Sequence, residues 1–255
     1  MIKRNFSAAL IAAGMLAIAS VAQATVVDLI HNDSGTITNQ YGTAIFQVVD
    51  PTSATGILQP FLRIQNSPSE QGYNTSGTPV PFNDLAGPWT HDIQFSDLQN
   101  TAVTLNGQVY YTIVVSLNEP NGSNSTISLD RLKFYSSPTG GATTENLNLL
   151  GTLRYDLGTG NQVLLDAART HGNANGDALM YIPASAFTGT NPNDFIYMYA
   201  AMGLDPNYPS GGGFESFALL VPVPELSALF PIVGLLVAVG STHVLRRRRM
   251  ARVSS

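Results

Sequence analysis

The residues best placed to do chemistry in this chain are oxygen donors. The segment Asn173-Ala174-Asn175-Gly176-Asp177 puts side-chain oxygens at alternate positions beside a glycine, which is how calcium loops begin, because calcium takes several hard oxygens around a tight turn. Counting on in the EF-hand manner reaches Ala184 where a bidentate glutamate belongs, so that loop type is excluded. Calcium here would have to recruit remote carboxylates, with Glu119, Asp130 and Asp166 as the candidates; the plainer reading is an Asx turn leading into a strand. Glu70, Glu119, Glu145 and Glu215 are the candidates for a glycosidase pair, since two carboxyls at the right separation suffice for that reaction, but no spacing selects two of them.

Other chemistries find less. His31, His91 and His171 show no i, i+4 pairing of the kind a helical zinc motif uses. The chain has no cysteine, which removes disulfides, thiol nucleophiles and thiolate metal sites together. Nucleophile-elbow, phosphate-loop and dinucleotide glycine patterns are absent, so the common hydrolase, nucleotide and dehydrogenase readings lack support, and calcium is the one cofactor to weigh. Trp89 with Tyr73, Tyr110 or Tyr135 is a candidate sugar-stacking platform, set against the commoner fate of a single Trp in a β-domain, burial in the core. Sequons at Asn32, Asn74, Asn121 and Asn124 are what a region rich in Asn, Ser and Thr produces by chance.

The elements that must position these residues are strands. Residues 25–217 show no long helical period, only short apolar stretches parted by Gly, Pro, Asn, Ser and Thr clusters, which means an all-β domain. The clearest strand is 109–117, where Val109, Tyr111, Ile113, Val115 and Leu117 share one face and the strand reads as half-buried. Others are expected at 26–30, 43–49, 61–65, 92–95, 127–135, 150–155, 162–165, 179–182, 195–202 and 216–221. About ten strands in roughly 200 residues predict an antiparallel β-sandwich of jelly-roll type. In the strand from Ile127 the apolar phase switches between Leu129 and Leu132, which predicts a bulge near Asp130-Arg131, read as a salt-bridged bend at a sheet edge.

Charge separates the chain into regions. The net charge is -5, but seventeen acidic residues between Asp28 and Glu225 meet only five basic ones there, leaving about -12 for the middle. Such a surface excludes nucleic-acid binding by charge, which needs clustered Lys and Arg. The remaining basic residues sit at the two ends. Lys3 and Arg4 precede an apolar run over 8–19, and Ala22-Gln23-Ala24 follows; this is the three-part signal-peptide pattern, with Ala22 and Ala24 filling the small pockets of signal peptidase and Thr25 as the new N-terminus. Residues 226–245 are predominantly apolar, at about 1.5 Å per residue enough for a bilayer core of about 30 Å, and Arg246, Arg247, Arg248 and Arg249 follow at once. The positive-inside rule keeps those arginines in the cytoplasm and the acidic domain on the far side of the inner membrane. Before the helix, Pro222 and Pro224 bias the chain toward an extended form that proteases bind, and Glu225 stands at the helix start.

Pro224-Glu225, the short apolar helix and the arginine cluster, in that order, resemble the PEP-CTERM sorting tail, with Leu226 at the third position where family members typically carry proline. The resemblance covers residues 222–249. It implies transit to the periplasm, recognition of Pro222, Pro224 and Glu225 by an integral-membrane exosortase, removal of the helix with its arginines, and delivery to the cell surface or an exopolysaccharide matrix. The strings 70–75, 89–91, 128–131 and 176–179 are similar to segments of other PEP-CTERM proteins. The organisation expected is therefore a signal peptide at 1–24, a domain at 25–217, a linker at 218–225, a membrane helix at 226–245 and a basic tail at 246–255. The expected role is non-enzymatic, structural or carbohydrate-adhesive. The alternatives are a secreted polysaccharide-active enzyme and a protein whose tail is never removed.

Overall fold

The computed structural model describes residues 24–49, 58–82, 87–120, 122, 125–170 and 176–222. The predicted signal peptide up to Gln23, residues 171–175 with His171, Asn173 and Asn175, and everything from Val223 onward, with Pro224, Glu225, the apolar segment and the arginine cluster, lie outside the described residues. Among the described residues no helix is long and apolar enough to cross a membrane.

Fourteen strands follow one another among the described residues: β1 (Val26–Asp28), β2 (Ser34–Asn39), β3 (Gly42–Val48), β4 (Pro60–Ile64), β5 (Glu70–Tyr73), β6 (Ile93–Gln94), β7 (Ala102–Leu105), β8 (Gln108–Ser116), β9 (Thr126–Ser137), β10 (Thr152–Asp156), β11 (Gln162–Asp166), β12 (Ala178–Pro183), β13 (Phe195–Met202) and β14 (Glu215–Leu219). They form two sheets, one in the order β1-β11-β9-β13-β5 with β10 and β6 added, the other in the order β2-β3-β12-β8-β14-β4 with β7 added. One continuous core draws residues from both, Phe134 and Met198 from the first and Phe46, Ile113 and Phe217 from the second, so the all-β sandwich expected from the sequence is what the chain forms. The pairing is antiparallel except at β1, which runs parallel to β11 in the register Val26 to Gln162.

Several local expectations are corrected. Strand β8 is buried on both faces: Tyr111, Ile113 and Val115 enter the common core, while Val114 packs outward with Val49 and Ala218 under Leu58, Leu179 and Leu220. Alternating polarity reads such a strand as half-exposed because Tyr110 and Thr112 carry hydroxyls, yet both are buried. The 92–95 stretch is only a two-residue strand before a short helix α1 (Phe95–Gln99), whose first turn is held by the Asp97 carboxylate accepting from the Gln94 N–H at 2.8 Å. Strands β2, β5 and β7 add to those expected. Strand β7 joins β8 through Asn106-Gly107, both at positive φ, the two-residue turn whose twist suits a hairpin and which Asn-Gly favours.

The bulge near Asp130-Arg131 is present. Ala201 pairs with Arg131 and Met202 with Leu129, so Asp130 is left over. It lies in the middle of a sheet, with β9 flanked by β13 on one side and by β10 and β11 on the other, which corrects the edge assignment. The freed Asp130 carboxylate accepts from the Ser128 hydroxyl and the Leu204 N–H, both at 2.8 Å, fixing the start of the 203–214 loop. On the outer face of the same sheet, Tyr73, Tyr135, Tyr197 and Tyr199 form a second apolar layer with Leu150. It is tied down by Tyr73 Oη donating to the Thr144 carbonyl and Tyr197 Oη to the Thr139 carbonyl.

Candidate functional site

Three of the four candidate glutamates meet at one end of the sandwich. On β14 the alternation of side chains puts Glu215 on the same face as Phe217, toward the core, and turns Ser216 outward. On β5 it puts Glu70 inward and Tyr73 into the outer aromatic layer. One carboxyl from each sheet thus faces the interior, and Glu119 joins them from the segment that follows β8. Glu145 is exposed elsewhere.

All three are removed from water: Glu215 is 0%, Glu70 1% and Glu119 7% exposed. Each has one oxygen held by a backbone amide. The Asn66 N–H donates to Glu70 Oε2 at 3.2 Å, the Asn118 N–H to Glu215 Oε1 at 3.4 Å, and the Gly211 N–H to Glu119 Oε2 at 2.7 Å. The other oxygens, Glu70 Oε1, Glu215 Oε2 and Glu119 Oε1, are buried with no hydrogen-bond partner among the described residues. Glu215 feels the charge of both Glu70 and Glu119 across this buried end of the sandwich. Ionised together away from water they repel one another, and a proton on one of them relieves that repulsion.

Burial is the main cause that lifts all three groups above the ordinary carboxylate range, and repulsion from neighbouring glutamates adds to it for Glu70 and Glu215. Glu70 is pushed up to about 7, Glu119 is raised, and Glu215 is raised well above its usual value. The nearest arginine by strand order does not offset them. Arg63, on the neighbouring β4, turns to the outer face, where its Nε donates to the Ser216 hydroxyl at 3.0 Å and its guanidinium lies 4.5 Å from the Trp89 ring centre and 4.2 Å from that of Phe214. Among the described residues no three His, Cys, Asp or Glu side chains are arranged to hold a metal ion. The trio is thus three buried carboxyls whose surroundings favour the protonated form.

The remaining candidates are placed apart. Asp177 is buried at the start of β12, with Oδ2 accepting from the Leu117 N–H at 2.6 Å and Oδ1 from the Thr170 hydroxyl. Burial pushes it up to about 6, and the nearby Asp166 carboxylate contributes to that rise. Asp166 itself caps a short turn by accepting from the Ala168 N–H at 2.9 Å, while Glu119 belongs to the trio and Asp130 to the bulge. Both Asp177 oxygens are therefore engaged by the protein. Asp177→Ala, which strands two buried donors, is expected to cost about 1–3 kcal/mol in urea unfolding, and an unchanged midpoint would contradict that role.

Trp89 is 44% exposed, which corrects its expected place in the core, while Tyr73, Tyr110 and Tyr135 are buried and form no platform with it. An open cleft of about 350 Å³ lies elsewhere, where Lys133 Nζ meets Asp156 Oδ2 at 2.9 Å beside Asp130, Asn161 and Gln162. A second cleft, beside Tyr41 and Asn39, shares Asp156 and Asn161 with it. None of the three buried glutamates lines either.

No protein family, curated protein or solved structure matches the chain. The site must be read from its own geometry.

Sequence reasoning names Glu70, Glu119 and Glu215 singly and does not join them. The signal is a carboxylate in phase with Phe217 and Leu219, readable once β14 is begun at Glu215 instead of Ser216.

Proposed function

We propose that the chain is the precursor of an exported surface or extracellular-matrix protein, whose acidic β-sandwich, of jelly-roll type, is freed from a signal peptide by signal peptidase and from a sorting tail by an exosortase. The observation that carries the reading is where the strands lie among the described residues. Among those residues the first strand begins at Val26 and the last ends at Leu219, between the two segments that read as export signals. Ala24 is exposed, and the backbone of Thr25 already belongs to the fold, its N–H donating to Asn161 Oδ1 at 2.7 Å and its carbonyl accepting from the Gln162 N–H at 3.0 Å. Pro222 is exposed at the other boundary, which suits a motif that a protease must grip in extended form.

The role is non-enzymatic. A glycoside hydrolase needs its two carboxyls facing a groove that a sugar can enter, whereas the three gathered glutamates are sealed from solvent. A matrix-adhesive role draws instead on the open clefts, where amide and charged side chains at Asn39, Lys133, Asp156 and Asn161 suit a ligand rich in hydroxyls. The precursor sits in the inner membrane with the domain outside, and the mature form at the surface or in the exopolysaccharide.

The test is Glu225→Ala in the native host. The variant is expected to stay in the membrane fraction while the unaltered chain reaches the surface or medium; equal release of both would overturn sorting through this motif.

A further inference from the structure

The carboxyl trio lies beneath a loop that is packed against it without slack. Residues 203–214 connect β13 to β14 and cover the end of the sandwich where Glu70, Glu119 and Glu215 meet. The Gly211 N–H is the donor to Glu119, and a Cβ on Gly211 would strike the same Glu119 oxygen and Pro120. A Cβ on Gly213 would run into the Asn118 carbonyl, so this loop backbone rests directly on the segment that carries Glu119. Its other edge is stitched to the 65–69 turn that precedes Glu70. There Ser210 Oγ donates to the Asn66 carbonyl at 2.7 Å, the Ser210 N–H to the Pro68 carbonyl at 2.7 Å, and Gln65 Nε2 to the Gly212 carbonyl at 3.0 Å. Each of these straps therefore joins a segment that also holds one of the three glutamates.

We propose that Glu70, Glu119 and Glu215 form a proton-held latch beneath the 203–214 loop, closed while the carboxyls share protons and released when they lose them. Contact between two carboxyls is attractive only with a proton between them; once both are ionised, two negative charges are left in a site shielded from water. The charged groups on the elements packed around the trio are engaged elsewhere and do not absorb that repulsion. Arg63 on β4 points to Ser216, Trp89 and Phe214 on the outer face. Asp130 on β9 is bound to Ser128 and Leu204, Arg131 beside it is exposed, and Asp205 in the loop is bound to Asn207 and Gln162. The Tyr208 carbonyl accepts from the Ser128 N–H. Hydration of the ionised carboxyls thus requires the loop to lift, exposing an acidic cluster that the closed form conceals.

The direction follows from linkage. These groups hold protons more tightly folded than unfolded, so the stability they contribute is complete below the ordinary glutamate value near 4.5, and it is lost as pH rises through about 7 for Glu70 and through the raised value of Glu215. Asp177 follows the same sign with its midpoint at about pH 6, so it still contributes at the acid end of the range from pH 6.5 to 8.5, and Glu215→Gln, which leaves Asp177 in place, separates the trio from it.

The experiment compares the domain released from the exported chain, from Thr25 to near Glu225, with its Glu215→Gln variant in calcium-free buffer. The melting temperature of the unaltered domain is expected to fall by on the order of 5 °C from pH 6.5 to 8.5, and Glu215→Gln to remove most of that fall by raising the value at pH 8.5. Hydrogen exchange within 203–214, corrected for the intrinsic base-catalysed rate, is expected to lose protection over the same range in the unaltered domain alone. Should the variant fail to fold, carbon-13 titration of the glutamate carboxyls in the unaltered domain decides, with at least one titrating at pH 7 or above. A melt that is flat over this range, carboxyls that all titrate below pH 5.5, or a cluster that 1 mM calcium stabilises at pH 8.5 more than acid does would each overturn the latch, the last in favour of a cation site.

Discussion

Phe134→Ala is expected to lower the stability of the domain by about 3–5 kcal/mol. Phe134 is fully buried on β9, the strand that pairs with three others in its sheet. Its ring lies edge-on to Phe187 at 5.7 Å and to Tyr155 at 6.1 Å between ring centres, so truncation removes both aromatic contacts and opens a cavity where the two sheets meet. The surrounding strands cannot close that space without breaking the ladder to β13. Denaturant unfolding reads the loss directly. Phe134→Leu, which keeps most of the volume, is expected to cost less than half as much, and equal costs for the two would show that the site is not packed as described.

The second large effect comes from adding one carbon atom. Gly213→Ala places a Cβ against the Asn118 carbonyl, a backbone atom with no rotamer to escape into, and overpacking of this kind costs about 1–3 kcal/mol. Relief requires the 203–214 loop to separate from 118–120, which also breaks the Gly211 N–H bond to Glu119. The variant is therefore expected to melt lower and to expose the loop amides to exchange at a pH where the unaltered domain protects them. A normal melt with unchanged exchange would mean that the loop accommodates the methyl group and does not clamp the glutamates.

Much of the architecture is legible in the sequence because it depends on local composition. Turn-forming clusters between short apolar runs mark the all-β class, and the phase switch between Leu129 and Leu132 locates a bulge to the residue. What fails depends on distant partners. Nothing near Val114 or Thr112 in the chain signals that Val49 and Ala218 will cover the outer face of β8. Nor does anything near Trp89 reveal that it will stay at the surface with the Arg63 guanidinium over its ring.

The carboxyl trio is hidden for a related reason. Its members stand at positions 70, 119 and 215, and they meet only because β5 and β14, in opposite sheets, both begin at the same end of the sandwich, where the chain leaving β8 also passes. Each glutamate alone looks like an ordinary polar residue beside a turn. Burial of all three is what separates them from Glu145, and burial is a property of the assembled sandwich.

The proposed function rests most heavily on the removal of a signal peptide and a sorting tail from a self-contained domain. Mass spectrometry of the protein recovered outside the cell tests it most directly. The expected result is an N-terminal peptide beginning at Thr25 and a C-terminal peptide ending near Glu225, whereas recovery of surface protein still carrying Arg246 through Arg249 would contradict it.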